Sequence, residues 1–391
     1  MDQLIYYCAG ADSNCLPAAN VPAILLNTLD HGANDKKIER ANQICRIAKP
    51  KHVILDSSGF QILKAEEKGK KMTFSADLDI KNTGTALNIS PEHVMRVAAI
   101  HRPQIVVGLD FPIRKVKGEA AQEFEFHRKL AFNIKWARES FAWRNAIAQR
   151  SEYFQPIQCF TLEHLDIFLD SVRAVAFDGI SMPSRTLKPY QLALFLVGFY
   201  RRGITRVHLL GTSNFATIAI CAYATRCLFE WVSLDSTSWR FAADKAEFIN
   251  PIDLGRIKVK SGIDVTDYPP NECPCLNCQG RNFPEIQALE PRINKVDLLR
   301  RHNWWALNNA ITDACAASVN MMLFEQFLKT RCKNAAEADE LYRILSLIDY
   351  LKDGDIDTLR FLLTPNPKRR KPARRSRKAT KPELSALEVD Q

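Results

Sequence analysis

Residues 154–211 carry the alternation that decides the fold: FQPIQ at 154–158, TLEHLDIFLDSVRAV at 161–175, GISM at 179–182, PYQLALFLVGFYRR at 189–202 and RVHLLG at 206–211. The first, third and fifth segments are short and apolar on consecutive positions, as expected of parallel strands covered by helices. The second and fourth are long enough for helices, and Gly203 stands where a helix closes on a left-handed residue. Strand, helix and next strand in this order make βαβ units.

Working outward, the same reading places strands at Leu4–Cys8, Ala23–Leu26, His52–Asp56, Ile105–Asp110 and Val232–Asp235, which with Phe154–Gln158, Gly179–Met182 and Arg206–Gly211 makes eight. Helices are predicted over Ala121–Gln149, Thr161–Val175, Pro189–Arg202 and Asn214–Phe229, and Ser90-Pro91 reads as an N-cap followed by proline in the first turn. Eight such units predict an α/β fold, a (β/α)8 TIM barrel over residues 1–250. A doubly wound open sheet gives a similar alternation. The connection from Cys8 to Ala23 is too irregular for a full helix. Residues 251–302 read as loop-rich and 303–363 as helical, together a zinc-binding loop and helical subdomain completing the barrel. Residues 364–391 form a tail whose Pro, Lys and Arg content predicts disorder.

The composition, 46% hydrophobic and 25% charged, is that of a globular protein. There is no apolar run of membrane-spanning length and no signal-peptide pattern at the N-terminus, so a cytoplasmic location, with no membrane partner, is expected. The net charge of +10 is concentrated in the tail. Lys368, Arg369, Arg370, Lys371, Arg374, Arg375, Arg377, Lys378 and Lys381 supply nine positive charges with no acid among them. Such a segment contacts phosphates without reading sequence; a solubilising or localisation role is the plainer alternative.

Eight of the eleven cysteines are scattered, and several lie in apolar segments as small hydrophobes. Cys273, Cys275 and Cys278 form a C-x-C-x-x-C cluster, followed 24 residues later by His302. Three thiolates and one imidazole make a closed tetrahedral zinc site with no vacant position for water, so the ion is expected to be structural.

Four polar residues end apolar runs: Asp56, Asp110, Gln158 and Asp235. In a barrel the C-terminal strand ends converge on one mouth, so three carboxylates and an amide would share a pocket. Close like charges separate in pKa, which suits one group to proton transfer and another to nucleophilic attack. Taken singly, each could equally be a capping or solvated residue. The residues by themselves indicate a carboxylate enzyme without naming its reaction.

Asp56-Ser57-Ser58-Gly59-Phe60-Gln61 resembles the D-S-G-G-[FY]-Q signature of the tRNA-guanine transglycosylases, and the cysteine–histidine cluster follows in that family's order. Leu109-Asp110, Ile157-Gln158, Leu209-Leu210-Gly211 and Leu234-Asp235 fall at its corresponding strand ends, over roughly residues 50–325. The resemblance implies that Asp235 is the nucleophile that attacks the sugar C1′ and that Asp56 is the general acid/base. It further implies that Asp110, Gln158 and Ser57 bind the base edge, and that Phe60 and Leu210 sandwich its faces. A homodimer near the zinc region is implied as well.

Departures from the family pattern touch recognition. Pro183-Ser184-Arg185 replaces a glycine-rich base-reading stretch, Ser58 replaces the first glycine of D-S-G-G, and Thr237-Ser238-Trp239-Arg240 replaces a basic tRNA-contacting stretch. The segment before Asp56 is also short. This pattern is similar to the DpdA-like branch. That similarity implies exchange of guanine in DNA for a 7-deazaguanine base, 7-cyano-7-deazaguanine (preQ0), in a bacterium or phage, with an ATPase-like accessory protein. A tRNA enzyme of the queuine/preQ1 type, a noncatalytic subunit of such an enzyme, and a glycosidase-like hydrolase are the other readings.

Overall fold

The computed structural model describes residues 4–12, 16–17, 21–32, 34–67, 72–74, 80–82, 89–266, 273–290 and 292–363. The nine basic tail residues and Cys15 lie outside these.

Eight parallel strands close on one another: β1 (Leu4–Ala9), β2 (Ala23–Asn27), β3 (His52–Asp56), β4 (Ile105–Val107), β5 (Glu152–Pro156), β6 (Gly179–Pro183), β7 (Arg206–Leu210) and β8 (Trp231–Ser236). The ring runs in sequence order, with β1 paired to β8 through Leu4↔Val232 to Cys8↔Ser236. The barrel reading therefore holds and the open sheet falls. Alternate residues point inward, because strand side chains have a period of two. Tyr7, Ala9, Leu25, Ile54, Val107 and Phe154 form a cluster separate from the larger core, which holds the opposite parity, such as Tyr6, Cys8, Leu26 and Leu55.

The N-terminal floor of this cluster is sealed. Arg206 donates from both terminal nitrogens to the two carboxylate oxygens of Glu152, each at 2.7 Å. Its guanidinium lies 5.4 Å from the ring centroids of both Phe154 and Trp231. A barrel interior is a packed core rather than a pore, and here that packing closes the N-terminal end.

The helices start where their caps dictate. Ser90 accepts from His93 N–H, Thr161 from His164 N–H and Asn214 from Thr217 N–H, opening helices Pro91–His101, Leu162–Ser171 and Phe215–Cys227. The helix Pro189–Tyr200 is apolar on nearly every side, with Leu192 to Phe199 buried. It has helix Ala335–Lys352 packed on its outer side, so it has no solvent face to make polar. Among the described residues, no helix is long and apolar enough to cross a membrane.

Two expectations need correction. The strand expected over Ile105–Asp110 ends at Val107. Beyond it the backbone is held by side chains of helix Glu119–Ile147: Ser140 Oγ accepts from Leu109 N–H, and the Asn133 amide bonds both N–H and C=O of Phe111. The last helical region begins at Arg292, not near residue 303, and runs to Ala317 with His302 well inside it. Val296, Leu299 and Asn303 share its buried face, and the charged residues between them mask that spacing in the sequence. This helix packs on β1 and on helices Ser238–Asp244 and Phe215–Cys227. Trp304 stacks on Tyr6 at 5.1 Å and meets Trp239 edge-on.

Candidate active site and metal centre

The C-terminal ends of β3, β5 and β8 and the loop after β4 bring Asp56, Asp110, Gln158 and Asp235 to one mouth. Gln158 Nε2 donates to Asp110 Oδ2 at 2.6 Å, and Ser57 Oγ donates to Asp110 Oδ1 at 3.2 Å. Burial, with Asp56 nearby, pushes the Asp110 carboxyl up to about 7. The loop bearing it is fixed from below, since the buried Lys129 ammonium donates to Pro112 C=O as well as to Glu66.

The raised value has a thermodynamic consequence. A carboxyl with a higher pKa folded than unfolded favours the folded state at low pH and loses that contribution as pH rises through about 7. The gain in melting temperature of Asp110→Asn over the wild type is therefore expected to widen by several degrees between pH 5 and pH 8. Parallel melting temperatures at the two pH values would refute this.

Asp56 is held by a neighbour that the sequence reading missed. Asn27, at the end of β2, donates from Nδ2 to Asp56 Oδ2 at 3.0 Å, and Ser58 N–H reaches the same oxygen at 3.2 Å. Burial and the charge of Asp235 push Asp56 up to about 6. Asn27 carries the same signal as Asp56, a polar residue closing an apolar strand run.

Ser58 has a φ of +76°, in the region where glycine is free and other residues are strained by about 1–2 kcal/mol. Its hydroxyl offsets this by donating to Asn27 Oδ1 at 2.5 Å and accepting from Leu29 N–H at 3.0 Å. Gly59 has no such latitude, because a Cβ there would sit 2.2 Å from Asp110 Oδ1. Ser58→Ala keeps the strain and loses both bonds, so it is expected to cost about 1–3 kcal/mol in thermal unfolding. Ser58→Gly should stay within about 1 kcal/mol of wild type. Equal losses in the two variants would contradict this account.

Asp235 projects inward from β8. Gly211 N–H donates to its Oδ1 at 2.9 Å, and His208 Nε2 lies 3.5 Å from the same oxygen. His208 is a second residue that the sequence reading missed; it shares the inward parity of Leu210 two positions on. Phe60 opens helix Gly59–Glu67 beside Asp110 and is 47% exposed, with Lys64 Nζ 4.5 Å over its ring. Leu210, half-buried, ends β7 opposite Pro183. Ser184 is buried, its N–H donating to Leu210 C=O and its hydroxyl to Thr212 Oγ1.

The one cluster of metal-ligand type among the described residues is Cys273, Cys275, Cys278 and His302, all buried. His302 Nδ1 lies 3.5, 3.4 and 3.3 Å from the three sulfurs. Tetrahedral zinc with arms of about 2.3 Å to sulfur and 2.05 Å to nitrogen sets that separation at about 3.6 Å. His302 Nε2 donates to Ile249 C=O at 2.8 Å, which leaves Nδ1 as the lone-pair donor. Phe248 stacks on the imidazole at 3.7 Å. The residues present fit a structural zinc ion with four protein ligands.

A closed (β/α)8 barrel with convergent carboxyls at its mouth and a Cys3His cluster defines a class of barrel proteins with a zinc-type site and a carboxylate-lined mouth. The family model described as queuine tRNA-ribosyltransferase matches residues 13–337, and the chain belongs to this tRNA-guanine transglycosylase family. Membership implies guanine transglycosylase chemistry by a pentosyltransferase-type enzyme. No curated protein matches the chain.

Proposed function

We propose that the protein exchanges guanine in DNA for a 7-deazaguanine base, preQ0, through a covalent aspartyl-glycosyl intermediate. The observation that carries the chemistry is the pair of facing carboxyls. Asp56, pushed up to about 6 by burial and by Asp235, exchanges its proton far closer to neutral pH than an ordinary carboxyl, as a group that both gives and takes a proton must. Asp235 has one oxygen held by Gly211 N–H, with His208 Nε2 3.5 Å from it. The other oxygen attacks C1′ as the C1′–N9 bond breaks, and Asp56 protonates the departing guanine. The incoming base then gives its N9 proton to Asp56, N9 attacks C1′, and Asp235 leaves as carboxylate. Splitting one displacement into two lowers each barrel-mouth barrier.

Base recognition follows from the edge chemistry. The Asp110 carboxyl and the Gln158 amide, oriented by Ser57, face the polar edge of a purine, while Phe60 and Leu210 offer apolar surfaces to its faces. The base must leave its helical stack to reach them.

DNA is favoured by what the recognition segments do. Trp239 is fully buried with its Nε1–H on Ala9 C=O, and Arg240 donates to Gly10 C=O at 2.7 Å. Trp239 and Arg240 are thus committed to contacts within the chain, which supports a departure from the tRNA-contacting role of the stretch they replace. Ser184 N–H is engaged by Leu210, so this position has no free backbone donor for base reading. Leu276, 89% exposed in the zinc loop, offers an apolar contact to a second copy of the chain. An ATPase-like companion completes the proposed assembly.

The test is base exchange with labelled guanine, offering duplex DNA or unmodified tRNA. Label in DNA alone supports the proposal. Label in tRNA alone makes this a tRNA enzyme, and label in neither, with the companion present, makes it a noncatalytic subunit. Truncation after Pro365 is expected to raise KM for the polynucleotide several-fold at low salt and leave kcat within about twofold, since phosphate contacts add affinity without chemistry. An unchanged KM would remove the tail from substrate binding.

A further inference from the structure

We propose that His208 is a positioning residue for Asp235, part of a relay Ser233–His208–Asp235 built inside the barrel; this rests on the reading of Asp235 as nucleophile.

His208 lies in the middle of β7, fully buried, with its ring edge-on to Tyr7 at a centroid distance of 5.7 Å. Its Nδ1 is 2.6 Å from Ser233 Oγ, on the neighbouring strand two residues before Asp235. Its Nε2 makes no hydrogen bond yet lies 3.5 Å from Asp235 Oδ1. A buried polar atom without a partner calls for an explanation. The Ser181 and Tyr7 hydroxyls in the same layer are also without hydrogen bonds, so neither takes that role.

The tautomer follows from the pairing. If the Ser233 hydroxyl donates to Nδ1, the neutral ring carries its hydrogen on Nε2 and aims it at the carboxylate. The opposite arrangement would set a bare nitrogen lone pair against a carboxylate oxygen in a buried site, which costs both groups. Ser233 therefore fixes the ring so that Nε2–H faces Asp235.

The geometry then divides the two oxygens of Asp235. Oδ1 is held by Gly211 N–H and drawn toward His208, which turns Oδ2 to the sugar. In the glycosyl-enzyme Oδ1 is the ester carbonyl oxygen. When the incoming base displaces the carboxylate, negative charge returns to Oδ1, and the 3.5 Å contact shortens into a hydrogen bond, as catalytic contacts do on reaction. His208 thus acts on both displacements while touching neither base nor sugar.

The test measures kcat, KM and single-turnover adduct formation in His208→Phe, His208→Gln, Ser233→Ala and Asp235→Ala. His208→Phe keeps a ring against Tyr7 and removes both nitrogens. It is expected to lower kcat on the order of 10- to 100-fold, less than loss of a full oxyanion donor, with KM for polynucleotide and base within about twofold. His208→Gln restores an N–H near Nε2 and should recover most of the rate. Ser233→Ala should fall between, and it carries the test if His208→Phe does not fold. Unchanged kcat in His208→Phe or Ser233→Ala overturns the relay, as does a loss in the phenylalanine variant that glutamine does not recover. Adduct persisting in Asp235→Ala would overturn the nucleophile itself. Adduct lost there but normal in the His208 variants overturns only this inference.

Discussion

Asp235→Ala is expected to abolish the covalent protein–polynucleotide adduct and to lower base exchange by about 10⁴-fold or more. A nucleophile has no substitute within its own displacement, and removing one member of a catalytic unit costs nearly as much as removing all. The fold should survive, because the Asp235 side chain takes no part in the strand ladder, which the backbone keeps in the alanine variant; its carboxylate bonds Gly211 and faces His208. Asp56→Asn is the informative companion. It keeps the Asn27 contact site but cannot give or take a proton, so exchange should slow with the wild-type pH dependence near 6 removed. The measurement is a denaturing gel that separates adduct from free chain, read across pH 5–8. Adduct of normal yield in Asp235→Ala would assign the nucleophile elsewhere.

Loss of the metal should have the largest effect on stability. Binding free energies of structural zinc sites are on the order of 10 kcal/mol, and that energy is folding energy. The four ligands tie residues 273–278 to the helix Arg292–Ala317. That helix also packs on β1 and on the helix that follows Asp235. Cys278→Ser, or a strong chelator, is therefore expected to release the ion, lower the melting temperature by ten degrees or more, and weaken base exchange by loosening the β8 end. Metal content per chain and thermal melts with and without chelator measure this. A purified protein without zinc, melting identically in chelator, would remove the site from the account of stability.

Much of this was legible in the residues. Asp56, Asp110, Gln158 and Asp235 could be picked out because each ends an apolar run, and a barrel gathers such ends. The zinc ligands were legible because thiol spacing alone limits the geometry. What escaped was set by contacts distant in sequence. Asn27 acquires meaning only when β2 pairs with β3 and brings its amide to Asp56. Ser58 reads as a lost glycine, yet its hydroxyl is used by Asn27 and Leu29 across the barrel mouth. His208 looks like one polar residue in an apolar strand, and only the pairing of β7 with β8 places it beside Asp235. The start of helix Arg292–Ala317 is hidden in the sequence because its first turns carry Arg292, Lys295 and Asp297 among the apolar positions.

The sealed floor of the barrel makes the proposed reacting mouth a cul-de-sac. With Arg206, Glu152, Phe154 and Trp231 filling the far end, no passage leads through the barrel floor, so in the proposed exchange both bases would come and go by the mouth alone. Turnover is then a matter of traffic: the two bases contend for one berth, and free guanine in the medium holds the newcomer outside.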